Sequence, residues 1–339
     1  MRAMVLTRIA PVGPDGAGLE AAELPRPEPG PGEIRIRISV CGVCHTELDE
    51  IEGRTAPPAL PVVPGHEVVG HVDALGPGCS GRHREGDRVG VGWIHHSDGG
   101  PRENLSPAFR ATGRDANGGY AEYMTVPERY AYPIPAAFRD AEAAPLLCAG
   151  AVGWRALQLT GLRNGQGLGL TGFGGSAHLV LQVARHLFPD SPVHVFARDE
   201  AARRFALEAG ATSAGATEAP PPAPLDAVID TTPAWTPVVH ALAALRPGGR
   251  LVINAIRKED ADKQALLQLS YHDHLWLERE VKSVANVTAA DLEGFLPLAA
   301  EVPLRPVVQI YPLAAANAAL ADLKHRPVRG AKVLQIAAV

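Results

Sequence analysis

The chain has 339 residues, 46% hydrophobic and 20% charged, a composition typical of a globular protein long enough for two domains of roughly 100–200 residues each. A net charge of -5 without a block of like charges argues against nucleic acid or an anionic membrane as a partner. The four cysteines are too few for a disulfide scaffold, the apolar runs are too short to span a bilayer, and the N-terminal segment lacks a signal-peptide pattern, so we expect a cytoplasmic protein.

Short strands bounded by turn residues dominate the first 150 residues. Residues 33–40, EIRIRISV, alternate polar and apolar side chains as a half-buried strand does, and they follow the loop sequence PRPEPGPG. The segments VVGHVDALG and DRVGVGW are further predicted strands, each flanked by glycine or proline. This density of short strands predicts a β-barrel-like domain.

From about residue 150 the pattern changes to alternating strands and helices. GLGL, PVHVF, LDAVID and RLVINAI are predicted strands, and SAHLVLQVARHLF, DEAARRFALEAG and VVHALAAL are predicted helices between them. This alternation predicts an α/β domain with a doubly wound parallel sheet. A proline cluster within residues 220–224 predicts a loop, and the last fifty residues lose the alternation.

Two cysteines and a histidine stand far apart in the first half of the chain: Cys44, His66 and Cys148, with Glu67 directly after the histidine. Thiolate and imidazole are the ligands that zinc prefers, and two Cys plus one His with an open position is a known catalytic zinc set. The wide spacing requires ligands from separate elements of a folded domain, which favours a catalytic site over a zinc finger. Taken singly, His66 would be a hydrogen-bonded core histidine and Cys148 a small buried hydrophobic residue.

A glycine-rich turn follows the predicted strand GLGL and leads into a helix: Gly172, Gly174, Gly175, Ser176 and Ala177. This is a G-x-G-x-x-A form of the dinucleotide fingerprint in the strand–turn–helix context that the fingerprint requires. The first glycine permits the tight turn, the second lets the backbone approach a pyrophosphate, and alanine at the third position lets the helix pack on the strand. The helix N-terminus then offers free N–H groups to the phosphates.

Five segments together resemble the zinc-dependent medium-chain dehydrogenase/reductase family, which includes the alcohol dehydrogenases: CGVCHTEL, PGHEVVGHV, GDRVGVG, GGYAEYMTVP and APLLCAGAVGWRAL. They occur in the family's order, and the resemblance runs from about Met1 to the final AKVLQI. It implies a GroES-like β-barrel catalytic domain at residues 1–150, completed by residues 287–339, and a Rossmann dinucleotide-binding domain at residues 151–286.

The resemblance also implies which cysteines bind the metal. The family pattern selects Cys44, His66 and Cys148 as zinc ligands. Cys41 forms a C-x-x-C with Cys44 that could pass for a redox pair. Because the family uses only the second of these cysteines, we expect Cys41 and Cys79 to be structural.

Proton transfer and ligand orientation are further expectations from the family. Thr46 matches the hydroxyl that begins the proton relay, and His45 matches a position that contacts the cofactor pyrophosphate and can join the relay. Glu67 either replaces water on zinc during ligand exchange or is a carboxylate near the metal without that role. Glu47 stands where the family commonly has the aspartate that orients the ligand histidine. Asp49 replaces the relay's distal histidine, so it is either part of another proton route or a surface residue without a role.

The substrate and cofactor positions are less well defined. Trp93 matches a position that often lines the substrate cleft, and the alternative is a tryptophan packed in the core of its own lobe. Thr231 directly follows the predicted strand LDAVID, and Ala255 and Ile256 end the predicted strand RLVINAI. Both places are carboxyl ends of strands, where parallel sheets bind cofactors.

Preference between NAD and NADP depends on the end of the second Rossmann strand. The family's acidic position, which holds the ribose of NAD, falls on Ala197, and Arg198 follows. A small residue followed by arginine suits the 2′-phosphate of NADP, because a guanidinium binds phosphate in a fork. Asp199 could instead take the ribose role or cap the next helix. We expect NADP(H) to be favoured over NAD(H).

A second, structural zinc is not expected. Many relatives bind it through four cysteines in the lobe after GDRVGVG, whereas this lobe has no cysteine and Ser106 stands where one would be. A structural zinc site requires four protein ligands. His95, His96 and Asp98 could form a weak replacement site, but a solvated polar loop is the expectation.

The sequence thus predicts a zinc-dependent alcohol dehydrogenase, with one catalytic zinc per chain, that interconverts alcohols and aldehydes or ketones with NAD(P)(H). A homodimer or homotetramer is expected. The alternatives are a zinc-free quinone or enone reductase of the same fold and a non-catalytic nucleotide-binding protein.

Overall fold

The chain forms two units in a computed structural model that describes residues 1–16, 18–302, 304–326 and 329–337. The first unit comprises Met1–Cys148 and Asn286–Val339, and the second comprises Ala149–Ala285. The first unit is therefore built from two stretches of chain that flank the second unit in sequence. No helix in the described ranges is long and apolar enough to cross a membrane.

The first stretch of the first unit is rich in short strands. Its elements are β1 (Arg2–Val5), β2 (Glu20–Glu23), β3 (Glu33–Val43), α1 (His45–Ile51), β4 (Val68–Leu75), β5 (Arg88–Val91), β6 (Ile94–His96), β7 (Arg110–Ala111), β8 (Tyr123–Pro127), β9 (Ala131–Pro133) and α2 (Asp140–Ala143). The predicted alternation is partly present in β3, where Ile34, Ile36 and Ile38 are buried and Arg37 is exposed, but Arg35 is also buried.

The second unit contains a six-stranded parallel sheet. Its elements are α3 (Ala149–Thr160), β10 (Leu168–Thr171), α4 (Ala177–Leu187), β11 (Val193–Phe196), α5 (Glu200–Glu208), β12 (Ser213–Gly215), β13 (Leu225–Asp230), α6 (Thr236–Ala244), β14 (Leu245–Ile253) and β15 (Glu280–Ser283). The strand order β12-β11-β10-β13-β14-β15 is the doubly wound order, and every neighbouring pair is parallel. The predicted parallel sheet is confirmed.

Two strands of this sheet were missed by the sequence analysis. β12 has only three residues, and all four residues of the edge strand β15 are exposed. Neither strand carries the buried apolar run by which a central parallel strand is recognised.

The chain then returns to the first unit. This stretch contains α7 (Ala289–Glu301), β16 (Val308–Pro312), α8 (Ala316–His325) and β17 (Ala331–Gln335). The main sheet has the order β16-β17-β3-β4-β5-β9, and β8 also pairs with β3. β3 is antiparallel to β4, β8 and β17, so it lies at the centre of the sheet. Its C-terminal end leads directly into α1 and fixes where Cys44 lies.

Candidate functional site

Four potential metal ligands converge in the first unit. Cys44 is the N-cap of α1, His66 and Glu67 directly precede β4, and Cys148 follows a 3₁₀ turn at Ala144–Leu147. One ligand atom from each of the four residues lies within 4.8 Å of the others. Cys44 Sγ is 3.7 Å from His66 Nε2. Cys44 and Cys148 are 148 − 44 = 104 positions apart in sequence, and the fold brings them to one point. Such convergence of distant side chains is expected for a catalytic zinc set.

Glu47 orients the histidine of this group. Its Oε1 is 2.5 Å from His66 Nδ1, and its Oε2 accepts a hydrogen bond of 2.9 Å from the backbone N–H of Cys44. Because Nδ1 faces the carboxylate, Nε2 is the nitrogen left to face Cys44. Glutamate therefore makes the contact expected of the family's aspartate, and one carboxylate fixes two of the four potential ligands.

The anionic forms of the acidic side chains in this group are disfavoured in the protein alone. Burial raises the pKa of Glu67 to about 7. A hydrogen bond with Cys148, together with burial, raises the pKa of Cys44 well above its usual range. Burial opposes the charging of His66, but Glu47 and Cys44 raise its pKa well above the ordinary value. A cation at the centre of the group would stabilise the anionic forms of the thiols and the carboxylate, so this donor set fits zinc.

Two glycines make room for the group. A Cβ on Gly42 would lie 1.9 Å from Glu67 Oε2, so only glycine in β3 leaves space for that carboxylate. Gly65, just before His66, has φ of 101° and lies against the ring of Tyr120. The backbone around the candidate ligands thus depends on two residues without side chains.

The predicted relay residues differ in exposure. Thr46 is 5% exposed and the neighbouring His45 is exposed to solvent. Asp49 is 1% exposed, and its Oδ1 accepts a hydrogen bond of 2.5 Å from Arg54 Nε. The alternative that Asp49 is a surface residue is therefore wrong, because the carboxylate is buried in an ion pair. Asp49 does not belong to the group of four converging side chains.

Trp93 lies beside the candidate metal ligands. Its ring centroid is 6.1 Å from that of His66 and 5.4 Å from that of Phe109, with an edge-on arrangement to the latter. The indole thus packs within its own lobe and also approaches the site. The contact with Phe109 agrees with packing in the lobe, and a role in lining the substrate cleft stays a prediction.

The glycine-rich turn lies between β10 and α4 in the second unit. Gly172 has φ of 78°, and a Cβ there would lie 2.9 Å from Thr231 Oγ1. At Gly174 a Cβ would meet no described atom within 4 Å, so this position is open to a ligand. Ser176 Oγ donates a hydrogen bond of 2.9 Å to the carbonyl of Ala149, and Ala177 is fully buried as the first residue of α4. Gly175 lies between the open turn and the helix.

Three strand ends meet beside this turn. Thr231, after β13, donates a hydrogen bond of 2.9 Å from Oγ1 to the carbonyl of Thr171. After β14, Asn254 donates to Ser176 Oγ at 3.0 Å, and Ala255 and Ile256 follow it. Asn254 was missed by the sequence analysis. It directly precedes Ala255, which was predicted to border the cofactor, and this position could have pointed to it.

The residues predicted to distinguish NAD from NADP at the adenosine ribose lie at the end of β11. Ala197 is buried, the Arg198 side chain is 90% exposed, and Arg198 Nε lies 3.7 Å from Asp199 Oδ1. Asp199 is the N-cap of α5, although its side chain makes no capping hydrogen bond within the described chain. Arg203, which the sequence analysis did not single out, donates from Nη1 to the carbonyls of Ala197 and Arg198 at 2.8 and 2.7 Å. It therefore fixes the backbone turn that presents Arg198.

The chain is similar to several known alcohol dehydrogenases. The family described as the alcohol dehydrogenase GroES-like domain matches residues 30–136. The probable alcohol dehydrogenase AdhA of Mycobacterium tuberculosis (strain CDC 1551 / Oshkosh) is 42% identical over 335 residues, which cover 96% of this chain and 95% of that protein. A solved NAD-dependent alcohol dehydrogenase is 28% identical with a TM-score of 0.86, covering 99% of this chain and 100% of its own. A cobalt- and zinc-bound thermostable alcohol dehydrogenase from Pyrobaculum aerophilum is 25% identical with a TM-score of 0.84, covering 99% of both chains.

The chain belongs to the zinc-type medium-chain alcohol dehydrogenase family. It is therefore an oxidoreductase, and the non-catalytic alternative is wrong. The predicted fold class, a GroES-like β-barrel domain with a doubly wound Rossmann domain, is confirmed.

In this alcohol dehydrogenase the carboxylate of Glu103 links the cysteine-free lobe at residues 92–119 to neighbouring segments. Glu103 is 2% exposed, accepts hydrogen bonds from Tyr130 Oη at 2.9 Å and from the N–H of Ala289 at 2.7 Å, and so joins the lobe to the start of α7. Asp98 accepts a hydrogen bond of 2.9 Å from the N–H of Gly100. Within the described ranges, His95, His96 and Asp98 do not form a group of three metal ligands.

A buried ion pair was also missed by the sequence analysis. Asp230, at the end of β13, is fully buried, pairs with Lys258, and accepts hydrogen bonds from the hydroxyls of Thr171 at 2.6 Å and Thr232 at 2.8 Å. Lys258 also donates to the carbonyl of Thr232 at 2.8 Å. This network links the ends of strands β10 and β13 beside the glycine-rich turn.

Proposed function

We propose that this chain is a zinc-dependent alcohol dehydrogenase that interconverts alcohols and aldehydes or ketones by hydride transfer with NAD(P)(H). The observation that carries the proposal is the convergence of Cys44, His66, Glu67 and Cys148 within 4.8 Å. Bound zinc would supply a Lewis acid that lowers the pKa of an alcohol or polarises a carbonyl. The zinc-bound relative from Pyrobaculum aerophilum supports this assignment.

The protein's own residues have three tasks in this mechanism. Cys44, His66 and Cys148 would hold the metal, and Glu47 keeps the His66 ring in the orientation that directs Nε2 to it. Glu67 is the fourth potential ligand and the oxygen donor of this group, and it can replace a departing ligand. Each of these side chains acts before any bond of the substrate is broken, by fixing the position of the reacting centre.

The proton and the hydride leave the alcohol separately. The hydroxyl of Thr46, which is buried, accepts the substrate proton as it gives up its own, and exposed His45 passes a proton to solvent. A bound nicotinamide would accept the hydride from the alcohol carbon and would be reduced as the alcohol is oxidised. Asp49 is ion-paired with Arg54, so we assign it a supporting role in α1 and place the proton path through Thr46 and His45.

The second unit, as the Rossmann domain, would bind the cofactor. The amides of Gly174, Gly175 and Ser176 at the start of α4 would hold the pyrophosphate. Thr231, Ala255 and Ile256 at the strand ends would border the nicotinamide half.

NADP(H) is the cofactor that we favour. Ala197 has no carboxylate to repel a 2′-phosphate, and the Arg198 guanidinium is 90% exposed on a turn that Arg203 braces. A guanidinium binds phosphate in a fork, which supports a preference for the phosphorylated cofactor.

Metal content per chain is the experiment that tests the zinc site. We expect one zinc in protein purified without added metal, and loss of that zinc with activity in Cys44→Ser. Cys79→Ser is the matched control, because Cys79 lies outside the group and donates to the carbonyl of Glu33 at 3.3 Å. Folded protein that binds the cofactor but contains no zinc would refute the proposal and favour the zinc-free reductase. Two zinc ions per chain would show that the lobe at residues 92–119 binds metal.

We also propose that the protein is a homodimer or homotetramer assembled through β15. This strand is at the edge of the six-stranded sheet, and Val281 within it is 48% exposed. Leu267, Trp276 and Leu277, in the segment before it, are 89%, 49% and 48% exposed. An exposed edge strand flanked by apolar side chains is a template for pairing with a second copy. Sedimentation of the wild type and Val281→Lys tests this, and a wild-type monomer would refute it.

A cytoplasmic location is the last part of the proposal. Cys41, Cys44, Cys79 and Cys148 are all free thiols. Free thiols are typical of a reducing compartment. Fractionation of cells that express the protein tests the location, and recovery outside the cytoplasm would refute it.

A further inference from the structure

Glu50 is a buried carboxyl that the proposed mechanism does not use. It lies on α1 three residues after Glu47, on the same side of the helix, and is 1% exposed. Neither carboxyl oxygen has a hydrogen-bond partner among the described residues. Burial, and then the charge of Glu47, raise the pKa of Glu50 to about 8. The group is therefore a largely neutral acid in neutral solution, and it lacks the partner that a buried polar group requires.

Trp93 carries the complementary unpaired group. Its indole Nε1 is also buried without a hydrogen bond in the described part of the chain. The indole nevertheless lies near enough to Glu50 to lower the pKa of that carboxyl. One side chain offers an N–H donor and the other a carbonyl acceptor, so the two groups are complementary and can form one hydrogen bond. This pairing satisfies two of the three buried polar atoms that lack a partner on these side chains.

The position of Trp93 gives this contact a consequence for the site. The indole lies 6.1 Å from the His66 ring and 5.4 Å from that of Phe109. The Arg114 guanidinium is 5.9 Å from the indole centroid. The charged or titratable groups that face Glu50 are thus Glu47 on its own helix, His66 before β4, and Arg114 after β7. The indole of Trp93 thus lies near both the Glu50 carboxyl and the ligand histidine His66.

We propose that Glu50 is a positioning residue that holds the indole of Trp93 and thereby sets which alcohols fit beside the metal ligands. This inference rests on the proposed function, because it assigns Trp93 to the substrate side of the site. Glu50 does not contact the substrate. It acts through the orientation of a side chain that does.

A double-mutant cycle in the near-ultraviolet circular dichroism of the purified, metal-loaded protein tests the contact itself. Glu50→Leu removes the acceptor, and we expect it to change the spectrum of the wild type but not that of Trp93→Phe. Glu50→Gln keeps an acceptor oxygen and should retain the wild-type spectrum. In a Trp276→Phe background, where an exposed indole is removed, Glu50→Leu should have its full effect. An equal change with and without Trp93 would overturn the inference.

Substrate preference tests the consequence. For ethanol and benzyl alcohol, we expect Glu50→Leu to change the ratio of the two kcat/KM values by about fivefold, mainly through KM, as loss of one buried hydrogen bond would. Glu50→Gln should restore the wild-type ratio, and Glu50→Leu should have no further effect in Trp93→Phe. A merely structural role would lower both kcat/KM values equally and would overturn the inference. If no alcohol is oxidised at all, the proposed function fails, and the spectroscopic cycle still decides whether Glu50 holds Trp93.

Discussion

The Glu50→Gln substitution measures how strongly the fold resists ionisation of this carboxyl. The pKa of Glu50 is raised from 4.5 to about 8, first by burial and then by Glu47. Between these pH values the native state keeps a proton that the unfolded chain has lost. The free energy of unfolding of the wild type should therefore fall as the pH rises through this window. The destabilisation is absent below pH 4.5 and complete above about pH 8.

The size of the effect follows from the same two values. The window spans 8 − 4.5 = 3.5 pH units, and each unit corresponds to about 1.4 kcal/mol, so the full effect is about 5 kcal/mol and the part reached at about pH 7 is about 3 kcal/mol. Glutamine cannot ionise. The stability of Glu50→Gln relative to the wild type should therefore increase with pH by these amounts, whatever constant difference the new amide introduces.

Urea unfolding across this pH range is the assay. The protein is first freed of metal with a chelator, because a bound cation would lower the pKa of a nearby acid. Glu218→Gln makes the same chemical change at an exposed position and is the control. Stability curves of Glu50→Gln and the wild type that run parallel over the whole range would refute the reasoning, because they would show that Glu50 ionises equally easily in both states.

Three further predictions concern other buried or exposed charges. Arg198→Ala should lower kcat/KM for NADP+ by at least about tenfold and leave the value for NAD+ nearly unchanged, since it removes a charge-assisted phosphate contact. Steady-state kinetics with both cofactors is the measurement, and an unchanged kcat/KM for NADP+ would contradict the assignment of Arg198. Lys258→Met should cost about 3–5 kcal/mol in the free energy of unfolding, because it leaves Asp230 buried and unpaired, whereas Lys263→Met, in an exposed ion pair, should cost at most about 1 kcal/mol. Glu103→Ala should cost about 2–3 kcal/mol by thermal unfolding, because a tyrosine hydroxyl and a helix N-terminal amide lose their acceptor; Glu103→Gln, which keeps one acceptor, should cost less.

The sequence alone identified the family and the fold class, and it marked the side chains that converge. Cys44, His66 and Cys148 could be found because few residue types bind zinc and because each lies within a longer matching segment. The glycine-rich turn before α4 could be found because a tight turn and a close phosphate approach both require residues without side chains. In both cases the chemistry restricts the residue type at a fixed place in the chain.

Burial of charge was decided only by the tertiary structure. The sequence of α1, HTELDEI, has only Leu48 and Ile51 as apolar residues, which indicate one buried face, yet every residue from Thr46 to Ile51 is buried. For this reason Asp49 allowed a surface interpretation that is wrong, and Glu50 gave no signal at all. Their environment comes from residues distant in the chain, such as Trp93 and Arg114 for Glu50. Local pattern fixes which residues can form an element, but only the contacts between distant segments decide which charged side chains lose contact with water.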